Sequence, residues 1–199
     1  MSETPTVLCV DDNPALIALL VDVLDLEGFT TRAVLGGQEC MDALKDGDAK
    51  PDIILLDILM EPMDGWMTLK EIRKEPSLSC VPVVMLTGKH PTMAEAEEFS
   101  PLMDGYLMKP FAIESFSQDV AAVLERVRRR EELIKKARMQ RADEESLAEY
   151  RRLSCRVSSL KQLANIIRNG SFKGERLQEA EGRLENLEKR LKAPLAMNA

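Results

Sequence analysis

Five short apolar runs, each followed by a stretch of helical periodicity, limit what this chain can fold into more than any other feature. The runs are Thr6 to Val10, Phe29 to Val34, Asp52 to Asp57, Val81 to Thr87 and Gly105 to Met108. Runs this short and this apolar read as strands buried on both faces. Between them the period changes. Asn13-Pro14 opens a helix, an N-cap residue followed by proline at the first helical position. Leu16, Leu19, Leu20, Val23 and Leu24 share one face of that helix, which ends near Gly28. Further helices are expected over Gly37 to Leu44, Trp66 to Lys74 and Thr92 to Phe99, with another starting after Pro110. Strands alternating with helices give a parallel sheet covered on both faces, with right-handed crossovers. In such sheets ligands bind beyond the carboxyl ends of the strands.

Polar residues gather at those carboxyl ends. Asp11 and Asp12 follow the first run, Asp57 ends the third, Thr87 ends the fourth and Lys109 follows the fifth. A strand order of 2-1-3-4-5 would bring them into one shallow cleft. Alone, Asp-Asp before Asn-Pro reads as a helix cap, and a strand-terminal Asp or Thr as a turn former. All five at the correct ends point instead to a site. Three carboxylates repel one another and hold a divalent cation, and an all-oxygen set suits Mg²⁺. A lysine and a threonine beside them complete a phosphoryl site with a carboxylate nucleophile.

On these stretches residues 1–122 resemble the receiver domain of two-component response regulators. The matching segments are Val7 to Pro14, Asp52 to Asp57, Met63-Asp64-Gly65, Val83 to Gly88 and Gly105 to Phe111. The resemblance implies a flavodoxin-like, doubly wound five-stranded sheet of order 2-1-3-4-5. It implies that Asp57 accepts a phosphoryl group from a sensor histidine kinase. Asp11, Asp12, Asp57 and the Leu59 carbonyl would organise Mg²⁺, and Thr87 and Lys109 would hold phosphoryl oxygens. Tyr106 would be the switch aromatic, and the Lys109–Pro110 bond would be cis. The chain departs from the family pattern twice. Glu61 stands where the family usually has proline. Pro101-Leu102-Met103 replaces small residues before the fifth strand, which alters a surface many receivers use to pair. His90 reads as a solvated loop residue.

Strand signals stop near Val120, and residues 120–169 contain neither Pro nor Gly. Residues 1–124 hold 8 Lys/Arg and 22 Asp/Glu, whereas residues 125–199 hold 19 and 12. An acidic part joined to a basic part implies two jobs. Leu177, Ala180, Leu184, Leu187 and Leu191 form a heptad seam, and so do Tyr150, Leu153, Val157, Leu160, Ala164 and Ile167. Asn169-Gly170 and Ser171 to Gly174 read as the turn between two antiparallel helices. The organisation expected is a receiver over 1–122, an extended helix or linker over 123–146, and a coiled-coil hairpin over 147–199.

Isolated hairpins of this length are marginal. Pairing two of them into a four-helix bundle, burying Leu163, Ile166 and Ile167, is therefore expected to give a homodimer. The basic run Arg126, Arg128, Arg129, Arg130, Lys135, Lys136 is interleaved with Glu125, Glu131 and Glu132, and with so few aromatics it reads as a solvated helix face. Output through an unidentified downstream protein is the first reading, and a basic tail that binds nucleic acid is the alternative. No run approaches the roughly 20 apolar residues needed to cross a bilayer. The first residues lack a secretory pattern, and the four cysteines are scattered. A cytoplasmic switch, an enzyme only toward its own phosphorylation, is the resulting expectation.

Overall fold

The computed structural model describes residues 4–46, 50–166 and 175–193. Five parallel strands form one sheet: β1 (Thr6–Val10), β2 (Thr30–Val34), β3 (Ile53–Asp57), β4 (Val83–Thr87) and β5 (Gly105–Met108). Their order is β2-β1-β3-β4-β5. β3 and β4 are buried along their whole length, because both faces of the sheet are covered. Side chains alternate between two cores as strand period demands. Leu8, Val10, Ile54, Leu56, Val83 and Met85 face one core. Val7, Cys9, Ile53, Leu55, Val84 and Leu86 face the other.

Helices α1 (Pro14–Leu26) and α5 (Ile113–Met139) cover the second core. Helices α2 (Gly37–Asp46), α3 (Gly65–Lys74) and α4 (Met93–Phe99) cover the first. The Asn13 side chain accepts from the Ala15 and Leu16 amides and caps α1. Thr92 and Glu95 close a capping box on α4. Gly28, at φ 85°, ends α1 in a conformation that costs glycine nothing. None of the described helices is long and apolar enough to cross a membrane.

Over 123–146, read as an extended helix or linker, α5 continues as a helix from the receiver. α5 stops at Met139, the chain reverses over Gln140–Asp143, and α6 (Glu144–Ile166) begins. The reversal falls where the apolar pattern lapses between Arg138 and Ser146. α6 runs back along α5 onto β5, and α7 (Glu175–Lys192) packs on α6. The hairpin helices are therefore seated on the receiver rather than held away from it. Both seams close within one chain: Tyr150 and Leu153 of α6 meet Leu187 and Leu191 of α7 and Ile134 of α5. Leu163 is fully buried in the core of the receiver itself, not held free for a second hairpin. The expected turn over Asn169 to Gly174, and Ile167, lie outside the described residues.

Candidate functional site

The β1, β3 and β5 ends deliver the charged residues. Asp11 follows β1 directly, and its Oδ1 accepts from the Asn13 amide at 2.9 Å. Because Asn13 does the capping, Asp11 and Asp12 are free of that duty. Asp57 closes β3, where its register partner is Leu86 of β4. Carboxylate oxygens of Asp11, Asp12 and Asp57 all lie within 4.8 Å of one another. Asp11 and Asp57 are buried and Asp12 is exposed, so the group opens to solvent on one side. Lys109 reaches back from the end of β5, its Nζ 2.5 Å from Asp11 Oδ2 and 2.7 Å from Asp57 Oδ1.

Three carboxylates face one ammonium, which leaves the cluster short of positive charge. A divalent cation would correct that, and hard oxygen donors with an open side suit Mg²⁺. Burial pushes the Asp57 carboxyl above its usual range. The bond and charge of Lys109 pull the other way, and Asp11 adds to the rise. A carboxylate in this setting gains from any further positive charge.

The loop after Asp57 is held close. Leu59 N–H donates to Asp57 Oδ2 at 3.0 Å, while the Leu59 side chain is exposed. Glu61–Pro62 and Lys109–Pro110 are both cis. Gly65 explains its own presence in the sequence: a Cβ there would sit 2.1 Å from the Asp57 carbonyl oxygen. Only glycine lets α3 start this close to the end of β3.

Thr87 ends β4 fully buried, and its Oγ1 accepts from the Lys89 amide at 3.1 Å. Tyr106 is not in the acidic group. It lies on β5, buried, with its hydroxyl donating to the Lys89 carbonyl at 3.1 Å. Burial raises the pKa of its phenol, so it stays a donor. His90 is exposed on the following loop.

Sequence reasoning missed a second polar cluster, at the opposite end of β5. Asp104 is buried, with Oδ1 2.6 Å from Arg130 Nη1 and Oδ2 3.5 Å from Arg73 Nη2. The Val83 amide donates to Asp104 Oδ2 at 3.1 Å, and Cys155 of α6 lies 3.4 Å from Oδ1. Arg126, though exposed, donates to the Asp104 carbonyl. Thus Arg130, read as part of a solvated basic face, is turned inward. The only sequence signal was an aspartate before a strand and an arginine at a helix position otherwise facing the core.

The chain belongs to the response regulator receiver family: the family model for the response regulator receiver domain matches residues 7–121. Among curated relatives, the DNA-binding response regulator MtrA of Mycolicibacterium smegmatis is 36% identical over 126 residues, covering 63% of this chain and 52% of that protein. The DNA-binding dual master transcriptional regulator RpaA of Synechocystis is 31% identical over 130 residues, covering 63% and 51%. The chain spans about half the length of the curated relatives it matches. Among solved structures, the N-terminal domain of a response regulator receiver protein from Methanoculleus marisnigri is 39% identical, with a TM-score of 0.50, covering 60% of this chain and 95% of that one. The chemotaxis protein CheY4 of Vibrio cholerae is 25% identical with a TM-score of 0.55, covering 60% and 98%.

Proposed function

We propose that this receiver takes a phosphoryl group onto Asp57 from a phosphohistidine donor and passes the change to its helical tail. The observation that carries the reading is the convergence of Asp11, Asp12, Asp57 and Lys109 at three strand ends. Asp57 acts as nucleophile: a P–O bond forms to its carboxylate as the bond from phosphorus to the donor nitrogen breaks. Lys109 and the Thr87 hydroxyl take the incoming phosphoryl oxygens. Asp11, Asp12, Asp57 and the Leu59 carbonyl would hold Mg²⁺, which would supply charge neutralisation for the transfer. Incubation with acetyl phosphate and Mg²⁺ should add one phosphoryl group by mass to the native chain and none to Asp57→Asn. Equal labelling of both would sink the assignment.

The receiver over 1–122 is taken as the input unit and the helices after it as the output, acting in the cytoplasm. A groove of about 1000 Å³ between α5, α6 and α7, with Val127, Leu133, Val157 and Leu184 in its lining, supports output through protein contact. Its occupant in this reading is the tail of a second copy, giving a homodimer. Light scattering that finds only monomer at micromolar concentration would refute it.

The second reading is output on DNA, favoured by the names of the curated relatives. Their match spans about the length of the receiver, so it leaves the tail unaddressed. Half of the basic run is paired: Arg128 and Arg129 with Glu125, and Arg130 with Asp104. Retention on generic DNA that falls steeply with salt would favour the DNA reading over the protein one. Passage through the column at low salt would exclude it.

A further inference from the structure

Helix α6 rests on the strand that carries Tyr106, and the seat is polar and specific. Gln162 Oε1 accepts from the Tyr106 amide at 2.8 Å. Ser159 Oγ donates to the Met103 carbonyl at 2.9 Å. Leu163 is buried in one core with Phe99, Met103 and Tyr106. β5 is an edge strand, and these bonds satisfy backbone groups that an open edge would present to other chains. On its far side Tyr106 donates to the Lys89 carbonyl, and the Lys89 amide donates to Thr87. One residue therefore links them: α6 holds Tyr106 by its backbone amide, and the Tyr106 side chain holds the loop bonded to Thr87.

The turn that allows this docking carries one strained position, although Asp143 supports it by accepting from the Ser146 amide and capping α6. Arg141 N–H donates to the Arg138 carbonyl and Ala142 N–H to the Ala137 carbonyl. That bond pair is a Schellman ending, whose left-handed position favours glycine. Here it holds Arg141, at φ 62°. A side chain in that conformation carries strain. A helix running straight through 140–143 would relieve it, and no Pro or Gly from 120 to 169 prevents that. Such a helix would lift α6 off β5. The docked arrangement is thus held by what α6 touches as well as by the turn, and the strain at Arg141 works against both.

We propose that α6 is a releasable latch on the Tyr106 face, and that α6 docking and phosphorylation of Asp57 oppose each other. The coupling rests on the reading of Asp57 as acceptor. A phosphoryl group there offers oxygens to the Thr87 hydroxyl, which now accepts from the Lys89 amide. Turning that hydroxyl toward the phosphoryl group releases Lys89 and withdraws the carbonyl that Tyr106 holds. The Tyr106 side chain then shifts in the core it shares with Leu163, and the packing that seats α6 on β5 loosens. The coupling is reciprocal: a docked α6 makes Asp57 harder to phosphorylate.

The test uses the full chain, with amide hydrogen exchange over α6 and the rate of phosphorylation by acetyl phosphate and Mg²⁺, followed by mass. In the unphosphorylated protein, Gln162→Ala should speed exchange across α6 and Arg141→Gly should slow it. Unchanged exchange in both variants overturns the latch. Gln162→Ala should also be phosphorylated about fivefold faster or more than the native chain, and Arg141→Gly more slowly. Equal rates with altered exchange overturn the coupling. Absence of a phosphoryl group in every variant overturns the acceptor reading and the coupling with it, while the exchange results still decide the latch.

Discussion

The two ends of β5 hold buried carboxylates in opposite states of charge balance. At the carboxyl end, Asp11 and Asp57 share Lys109, Asp12 stands exposed beside them, and one side of the group is open. At the amino end, Asp104 alone meets Arg130 and Arg73, a strand amide and a thiol, all enclosed by α6. The first cluster is short of positive charge and open to a cation. The second is fully answered and has nothing left to bind. Asp11, Asp57 and Asp104 are similarly buried. The count of charges and the access of solvent separate a site for chemistry from a fastening.

The contrast can be broken most directly at its centre. Asp57→Asn should abolish phosphorylation by acetyl phosphate, as mass reports, while leaving the fold intact in circular dichroism. If the enclosed cluster is a fastening, Arg130→Met should do the reverse. It strands Asp104 in a buried place, at a cost of about 3–5 kcal/mol in denaturant unfolding of the full chain. A loss below ~1 kcal/mol would mean that water reaches Asp104 and the enclosure is not as drawn.

A smaller effect sharpens the open cluster. Asp12→Asn removes one anionic donor, and calorimetry should show Mg²⁺ binding weakened on the order of tenfold. The same titration on Arg130→Met should match the native chain if the two ends are independent. The smallest effect expected concerns lifetime. Leu59 is exposed beside Asp57 and has no group to position a hydrolytic water. Phosphorylated protein should persist for minutes or longer, and Leu59→Asn should shorten that several-fold. Decay within seconds, unaltered by the substitution, would discard this role.

The tail offers the clearest lesson in legibility. Its seams were readable: Tyr150, Leu153, Leu187 and Leu191 are all buried as the heptad spacing required. Spacing says that a stripe will be covered, not by what. The departure at Pro101-Leu102-Met103 altered a surface on which many receivers pair. In the structure that surface is taken by the chain's own α6, with Met103 wholly buried beneath it.

The sequence by itself determined the receiver's order of elements, the two-faced burial of β3 and β4, and the residues at each strand's carboxyl end. These follow from local periods of 2 and 3.6, from caps such as Asn13-Pro14, and from charge at strand ends, each readable within a few residues. Only the tertiary structure decided that Arg130 pairs with Asp104 and that Gln162 holds Tyr106, across 26 and 56 residues of sequence. It also decided that a chain with neither Pro nor Gly from 120 to 169 turns back at Arg141. The physical reason is the same in each case. A polar side chain on a helix carries no mark of its distant partner, and the contacts of α6 with β5 and α5 outweigh the strain of Arg141 in the left-handed turn.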